Sequence, residues 1–229
     1  MNIEKISTRT LRQQVYDQLR KKIISAEIVP GQVMTLQGLA KEFGVSIMPV
    51  REALWQLESE KVIVIQSNKR IYVNGLKRTD LDEILRLRLI LEPIAAESAC
   101  ERMTPGEMLK IKHILDGMEA ALDKPKKYVV LNNRFHFAIY AYADSPILLD
   151  IIDSLWARIG PYINIAWERA GDHSLVMKSH RGMYEALMER DGGKLKEWLR
   201  EDLTQAAGVI TPFLLDSHQK EDSAHGSPI

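Results

Sequence analysis

Cysteine is almost missing from this chain: Cys100 is the one thiol in 229 residues. A lone cysteine excludes an internal disulfide framework and fits a reducing compartment. Its place in a helical pattern makes it a packed thiol rather than a nucleophile. Long apolar runs are missing too. No window approaches the ~18 uncharged apolar residues of a spanning helix, and residues 1–7 lack the apolar core of a secretory leader. The expectation is a cytoplasmic protein with no membrane partner. Net charge is absent only in sum, since 31 Lys+Arg balance 31 Asp+Glu. Residues 1–78 hold 13 basic against 7 acidic side chains, and the remainder holds 18 against 24. A basic first part beside an acidic second part fits a nucleic-acid reader joined to a module that avoids nucleic acid. A hydrophobic fraction of 45% is enough for each part to bury a core of its own.

The most informative stretch is 35–57, TLQGLAKEFGVSIMPVREALWQL. Leu36, Leu39, Ala40 and Phe43 share one helical face. Gly44 supplies the turn, and Ser46 is placed to cap a second helix. Pro49 falls in that helix's first turn, where no N–H partner is lost. Val50, Ala53, Leu54 and Leu57 give the second helix its buried side, which leaves Ser46, Ile47, Met48 and Arg51 at the exposed front. This is a helix-turn-helix, which lays its second helix in the DNA major groove.

Leu11, Val15, Leu19 and Ile23 predict a preceding helix over 9–25, capped by Thr8 or Thr10 and ended by Pro30-Gly31. The β-branched runs 62–65 and 71–73 predict a hairpin, so the unit is winged. Lys69 and Arg70 at the wing tip can reach phosphates or the minor groove. Residues 1–76 then form a winged helix-turn-helix domain, with 74–78 as a short linker.

From Thr79 onward no strand pattern occurs. Helices are expected over 79–102, 104–122, 125–143, 145–169, 173–191 and 193–215, parted by Thr104-Pro105-Gly106, Lys124-Pro125, Ser145-Pro146, Gly171-Asp172 and Gly192-Gly193. Thr79 with Asp82, Thr104 with Glu107, and Ser145 are the expected helix starts. Pro93 and Pro161 are expected to kink their helices. The fold class is therefore mainly α: an N-terminal winged helix-turn-helix followed by an antiparallel six-helix bundle over 79–215, with 216–229 a polar, disordered tail.

The chain resembles the GntR family of bacterial transcription regulators, in its FadR-type branch with an FCD effector domain. The N-terminal match rests on Leu11 to Arg20, Pro30-Gly31, Leu39-Ala40, Val45-Ser46 and Pro49-Val-Arg-Glu-Ala-Leu54. The C-terminal match rests on Arg88-Leu-Ile-Leu-Glu92-Pro93, Phe135-His136, Ser145-Pro146 and His180-Arg-Gly-Met-Tyr-Glu-Ala-Leu187. Six bundle helices resemble the VanR-like subgroup. The resemblance implies a homodimer bound to a double-stranded DNA operator, with a small organic acid as effector. The reading of Gln37, Ser46, Ile47, Met48, Arg51, Lys69 and Arg70 as DNA-binding residues follows from it, with departures. The family usually has arginine after Val45-Ser46, where this chain has Ile47 and Met48. Gln37 replaces a charged residue, and glycines usual near Lys61 and Arg70 are missing. Ile47 and Met48 either meet thymine methyls or fill space beside the backbone.

In metal-binding FCD domains an aspartate and three histidines line the bundle, which here implies Asn132, His136, His180 and Asp202. Asn132 and His136 are four apart and share a helix face. Aspartate has in effect moved to position 202 and asparagine taken its place. Two imidazoles and a carboxylate suit zinc, nickel or manganese; a metal-free polar pocket is the alternative. Arg88 is either an anchor for the acid or an i,i+4 partner of Glu92. Trp156 and Arg158 are further effector-binding candidates, and Tyr162, Asn164 and Trp167 are pocket or core. The function expected is that of a ligand-responsive repressor of a metabolic operon and not an enzyme. The other classes to weigh are a metal-dependent hydrolase fused to a DNA module and an architectural DNA binder whose bundle serves only to dimerise.

Overall fold

A computed structural model describes residues 9–67, 70–170 and 174–224, with the backbone path alone at 168–170, 174–176 and 215–224. The chain divides into two compact units, Met1–Gly75 and Leu76–Ile229.

In the first unit, α1 (Leu11–Ile24) begins at Thr10, whose hydroxyl accepts from the Gln13 N–H. It buries Val15, Tyr16, Leu19 and Ile23, while Leu11 lies 55% exposed. Tyr16 donates its hydroxyl to the Glu60 carboxylate, whose oxygens lie at 2.8 and 2.9 Å. Next come α2 (Leu36–Phe43), capped by Thr35, and α3 (Ile47–Ser59). Between them Gly44 sits at φ 66°, a left-handed conformation that costs a side-chain-bearing residue roughly 1–2 kcal/mol. α3 buries Val50, Ala53, Leu54 and Leu57 against α1 and α2.

The wing is a three-stranded antiparallel sheet, ordered β1 (Val33–Met34), β3 (Ile71–Val73), β2 (Ile63–Ile65). The hairpin matches the expected one. Strand β1 is too short to show a period-two pattern in sequence, and it pairs through Val33 with Tyr72 and Met34 with Ile71. Lys61 stands at φ 60°, a left-handed conformation that glycine adopts without steric cost and other residues do not.

The second unit holds α4 (Arg78–Arg102), α5 (Pro105–Glu119), α6 (Pro125–Tyr140), a single 3-10 turn (Ala141–Ala143), α7 (Pro146–Ala170), α8 (Ser174–Glu189) and α9 (Gly192–Ala224). Each expected helix is present among the described residues, and the Gly171-Asp172 break falls outside them. Prolines open three helices, where the missing N–H costs nothing. The Thr104–Glu107 capping box forms in both directions. The start at Thr79 with Asp82 does not. The helix begins at Arg78, Asp80 accepts from the Lys77 N–H, and Asp82 instead pairs with the Arg78 guanidinium. α4 and α7 run unbroken through Pro93 and Pro161.

At the other end, α9 continues to Ala224, past the expected tail boundary at 215, and 225–229 lie outside the described residues. α9 packs on α4, α7 and α8, and at Gly182 a Cβ would meet the Trp198 indole at 2.3 Å. Cys100 is buried in this core, and burial pushes its thiol above the ordinary value.

Candidate metal centre and nucleic-acid interface

The bundle core contains charge. Arg88, Glu92, Asn132, His136, His180 and Asp202 are all buried. Such groups persist only when paired, because an unpaired ion in a low-dielectric interior costs several kcal/mol. Glu92 is the hub of one set. It accepts from the Arg88 guanidinium through a short Nε contact and from Nη2 at 3.4 Å. It also accepts from Tyr140 Oη at 2.6 Å and Trp156 Nε1 at 3.1 Å. The Arg88 guanidinium carbon lies 4.4 Å from the centroid of Trp156, a cation–π contact. Of the two readings of Arg88, the structure contains the i,i+4 pair, in buried form. Trp156 is a wall of this network. Arg158, two positions further along α7, is half-buried on a different face.

The second set meets the first through His136. Tyr140 has one hydroxyl hydrogen, and it goes to Glu92; towards His136 Nδ1, 3.1 Å away, Tyr140 can therefore only accept. That fixes the proton of a neutral His136 on Nδ1 and leaves Nε2 as a lone pair. Burial, then the Glu92 carboxylate, pushes the Tyr140 phenol well above its ordinary pKa, so it remains a donor. His180 is set the same way, since its Nε2 lies 2.7 Å from Asn132 Oδ1 and donates to it, leaving Nδ1 as the acceptor. Both acceptor nitrogens face Asp202: His136 Nε2 is 3.4 Å from Oδ2, and His180 Nδ1 is 3.4 Å from Oδ1. Among the described residues, neither His136 Nε2 nor Asp202 Oδ1 has a hydrogen-bond partner. Burial raises the Asp202 pKa, but His180 and His136, when their rings carry a second proton, and the Arg88 guanidinium outweigh it and hold the carboxyl below its usual range.

Three acceptor atoms converging in a buried space repel one another unless positive charge lies between them. His136, His180 and Asp202 offer one ligand atom each, all within 4.8 Å of one another. Adjacent ligands of a tetrahedral zinc stand about 3.3 Å apart, given its ~2.0–2.1 Å bonds, which matches the two N···O separations of 3.4 Å. The donor set therefore fits a divalent metal. Asn132 stands behind His180 and orients that ring, so three of the four expected ligands face one another and the fourth supports one of them.

Sequence reasoning passed over Tyr128 and Tyr140. With Asn132 and His136 they form a row at spacing four along α6, and that row was the available signal. The Tyr128 ring stacks on Trp167 at 3.5 Å, and its buried hydroxyl has no hydrogen-bond partner among the described residues. Burial, followed by the negative charge of Asp202, pushes its pKa well up.

In the first unit, Gln37, Ser46, Ile47, Met48, Arg51 and Arg70 are all exposed, and Lys69 lies outside the described residues. Ser46 occupies the N-cap position of α3, but its side chain makes no capping bond, contrary to expectation. Thr10 and Thr35 make the corresponding bond at the starts of α1 and α2. The front of α3 thus presents a hydroxyl and helix-terminal N–H groups, donors suited to a phosphate.

Comparison with known proteins agrees with this division. Residues 11–73 match the family model for bacterial regulatory proteins of the gntR family, and residues 83–205 match the FCD domain. The HTH-type transcriptional regulator McbR of Escherichia coli (strain K12) is 30% identical over 198 residues, 86% of this chain and 89% of McbR. A solved structure of E. coli McbR/YncC superposes with a TM-score of 0.84 at 28% identity, covering 90% of this chain and 99% of that one. The gluconate operon transcriptional repressor of Bacillus licheniformis is 24% identical over 205 residues, 86% of this chain and 84% of that protein. No helix among the described residues is long and apolar enough to cross a membrane. A helix-turn-helix with a wing, joined to an FCD bundle with a buried His-His-Asp group, places the chain in the GntR family of transcription regulators, which are DNA-binding proteins and not enzymes.

Proposed function

We propose that this chain is a cytoplasmic, homodimeric repressor of a metabolic operon whose FCD unit binds a divalent metal and, with it, a small carboxylate metabolite. The observation that carries the reading is the convergence of His136 Nε2, His180 Nδ1 and Asp202 with their remaining ring nitrogens committed to Tyr140 and Asn132. A group of acceptors oriented from behind is the arrangement of a metal site with its supporting shell. When bound, zinc, nickel or manganese supplies a Lewis-acidic point with positions left for an organic acid.

The protein's own residues do the rest. Tyr140 and Asn132 hold the two imidazoles in the ligating tautomer. Arg88, neutralised by Glu92 and lying on Trp156, leaves the acid's carboxylate to the metal rather than binding it as a free cation. Ile90 and Ile94 on α4 and Ile147 and Ile151 on α7 are exposed, apolar surface of the kind a second copy covers. Repression is supported by the likeness to the gluconate operon repressor. Effector control requires that the acid bind one conformation of the dimer more tightly than the other, since equal affinity shifts nothing.

The DNA half of the reading is tested by Arg51→Ala. The variant is expected to weaken operator binding by ~1–3 kcal/mol at fixed salt, and an unchanged titration refutes α3 as the recognition helix. The sensing half is tested by titrating organic acids into the operator complex of metal-loaded protein. At least one acid is expected to change operator affinity, and the His136→Ala, His180→Ala variant is expected to lose that response while still binding DNA.

A further inference from the structure

Three of the exposed side chains of α3 are large and apolar, in a helix whose reading of bases by hydrogen bonding would call for polar groups there. Met48 is 58% exposed, Trp55 57% and Ile47 40%. At 100° per residue, Met48 and Trp55 lie within about 20° of each other on the helix wheel, opposite the buried row of Val50, Ala53, Leu54 and Leu57. Arg51, exposed, borders them on the same side. None of the three apolar side chains is used in the core, so filling space beside the backbone does not account for them. Arg51 and the half-buried Glu52 flank Met48 and Trp55, and the surrounding residues 1–78, with 13 basic against 7 acidic side chains, complement a polyanion. Apolar side chains cannot match the donor and acceptor pattern of base edges. The one apolar group that a base pair shows in the major groove is the 5-methyl of thymine.

We infer that α3 reads thymine methyl groups through Ile47 and Met48, with Trp55 extending the apolar contact two helical turns along the groove, so that the operator half-site carries thymines facing this stripe. Met48 and Trp55 are about 10 Å apart along the helix axis, or roughly three base steps. The inference rests on the proposal that α3 enters the major groove, and it names what the helix recognises there.

The test uses the full chain to enrich duplexes from a random-sequence library, then replaces each half-site thymine by deoxyuridine. That exchange removes the methyl and leaves base pairing and protein unaltered. Each methyl met by Ile47 or Met48 is expected to cost about fourfold in affinity, the equivalent of one buried carbon. Met48→Ala or Ile47→Ala is expected to make binding insensitive to the exchange at that residue's own thymine. Enriched half-sites without thymine, or full affinity with deoxyuridine throughout, overturn the inference. Arg51→Ala run in parallel separates the two levels. If it weakens binding while deoxyuridine does not, methyl recognition fails and the DNA-reading helix stands; if neither matters, both fail.

Discussion

The helical unit keeps Arg88, Glu92, His136, His180 and Asp202 inside, whereas the N-terminal unit leaves Ile47, Met48 and Trp55 outside. Each placement inverts the usual sorting of polar from apolar side chains. The inversions differ in kind. Inside the bundle, charges are tolerated because Glu92 collects four donor contacts and the two imidazoles are each held from behind. On α3 the apolar groups have no such support within their own unit, and they make sense only against something outside it. The buried polar network is satisfied around Glu92 and left with facing acceptors at His136, His180 and Asp202. An exposed apolar stripe awaits a surface.

The largest effect expected from breaking this contrast is at Arg88. Arg88→Met leaves Glu92 charged and buried with its main counter-ion gone, and chemical denaturation should show a loss of about 3–5 kcal/mol. Adding Glu92→Gln removes the orphaned charge and should recover much of that loss. Next comes Tyr140→Phe, which deletes the acceptor for His136 Nδ1. Metal affinity, read by calorimetric titration, should fall 10–100-fold. Nitrogen NMR of the imidazole should show the His136 tautomer no longer fixed, a change that a merely structural role would not produce. The smallest effect is at the exposed stripe. Ile47→Ser and Met48→Ser should alter stability by no more than ~0.5 kcal/mol, because no partner in the fold is lost. A large loss there would mean that these side chains serve the unit's own packing.

The sequence made the helices legible through local chemistry. Pro105, Pro125 and Pro146 mark starts that follow from a missing N–H, and Gly44 marks a turn at positive φ. The buried row of α3 followed from helical periodicity, and the hairpin from its two β-branched runs. What stayed hidden depends on tertiary meeting. Glu92 lies 48 residues from Tyr140 and 64 from Trp156, so no spacing rule links the three. Arg88 with Glu92 could be read as a pair, but not as a buried one. Asn132, expected among the ligands, instead supports one of them, because the His180 ring lies between it and Asp202. Ser46 has the right residue type and position for a cap yet makes no capping bond, because residue type permits that bond without dictating the rotamer.

The central claim is that His136, His180 and Asp202 form a metal site at the heart of the sensing unit. The most direct measurement is a calorimetric titration of zinc, nickel and manganese into metal-free full-length protein, beside the His136→Ala, His180→Ala variant. The account predicts one site per chain for at least one of these ions, lost in the variant while operator binding persists. Failure of all three ions to bind, or equal binding by the variant, would contradict it.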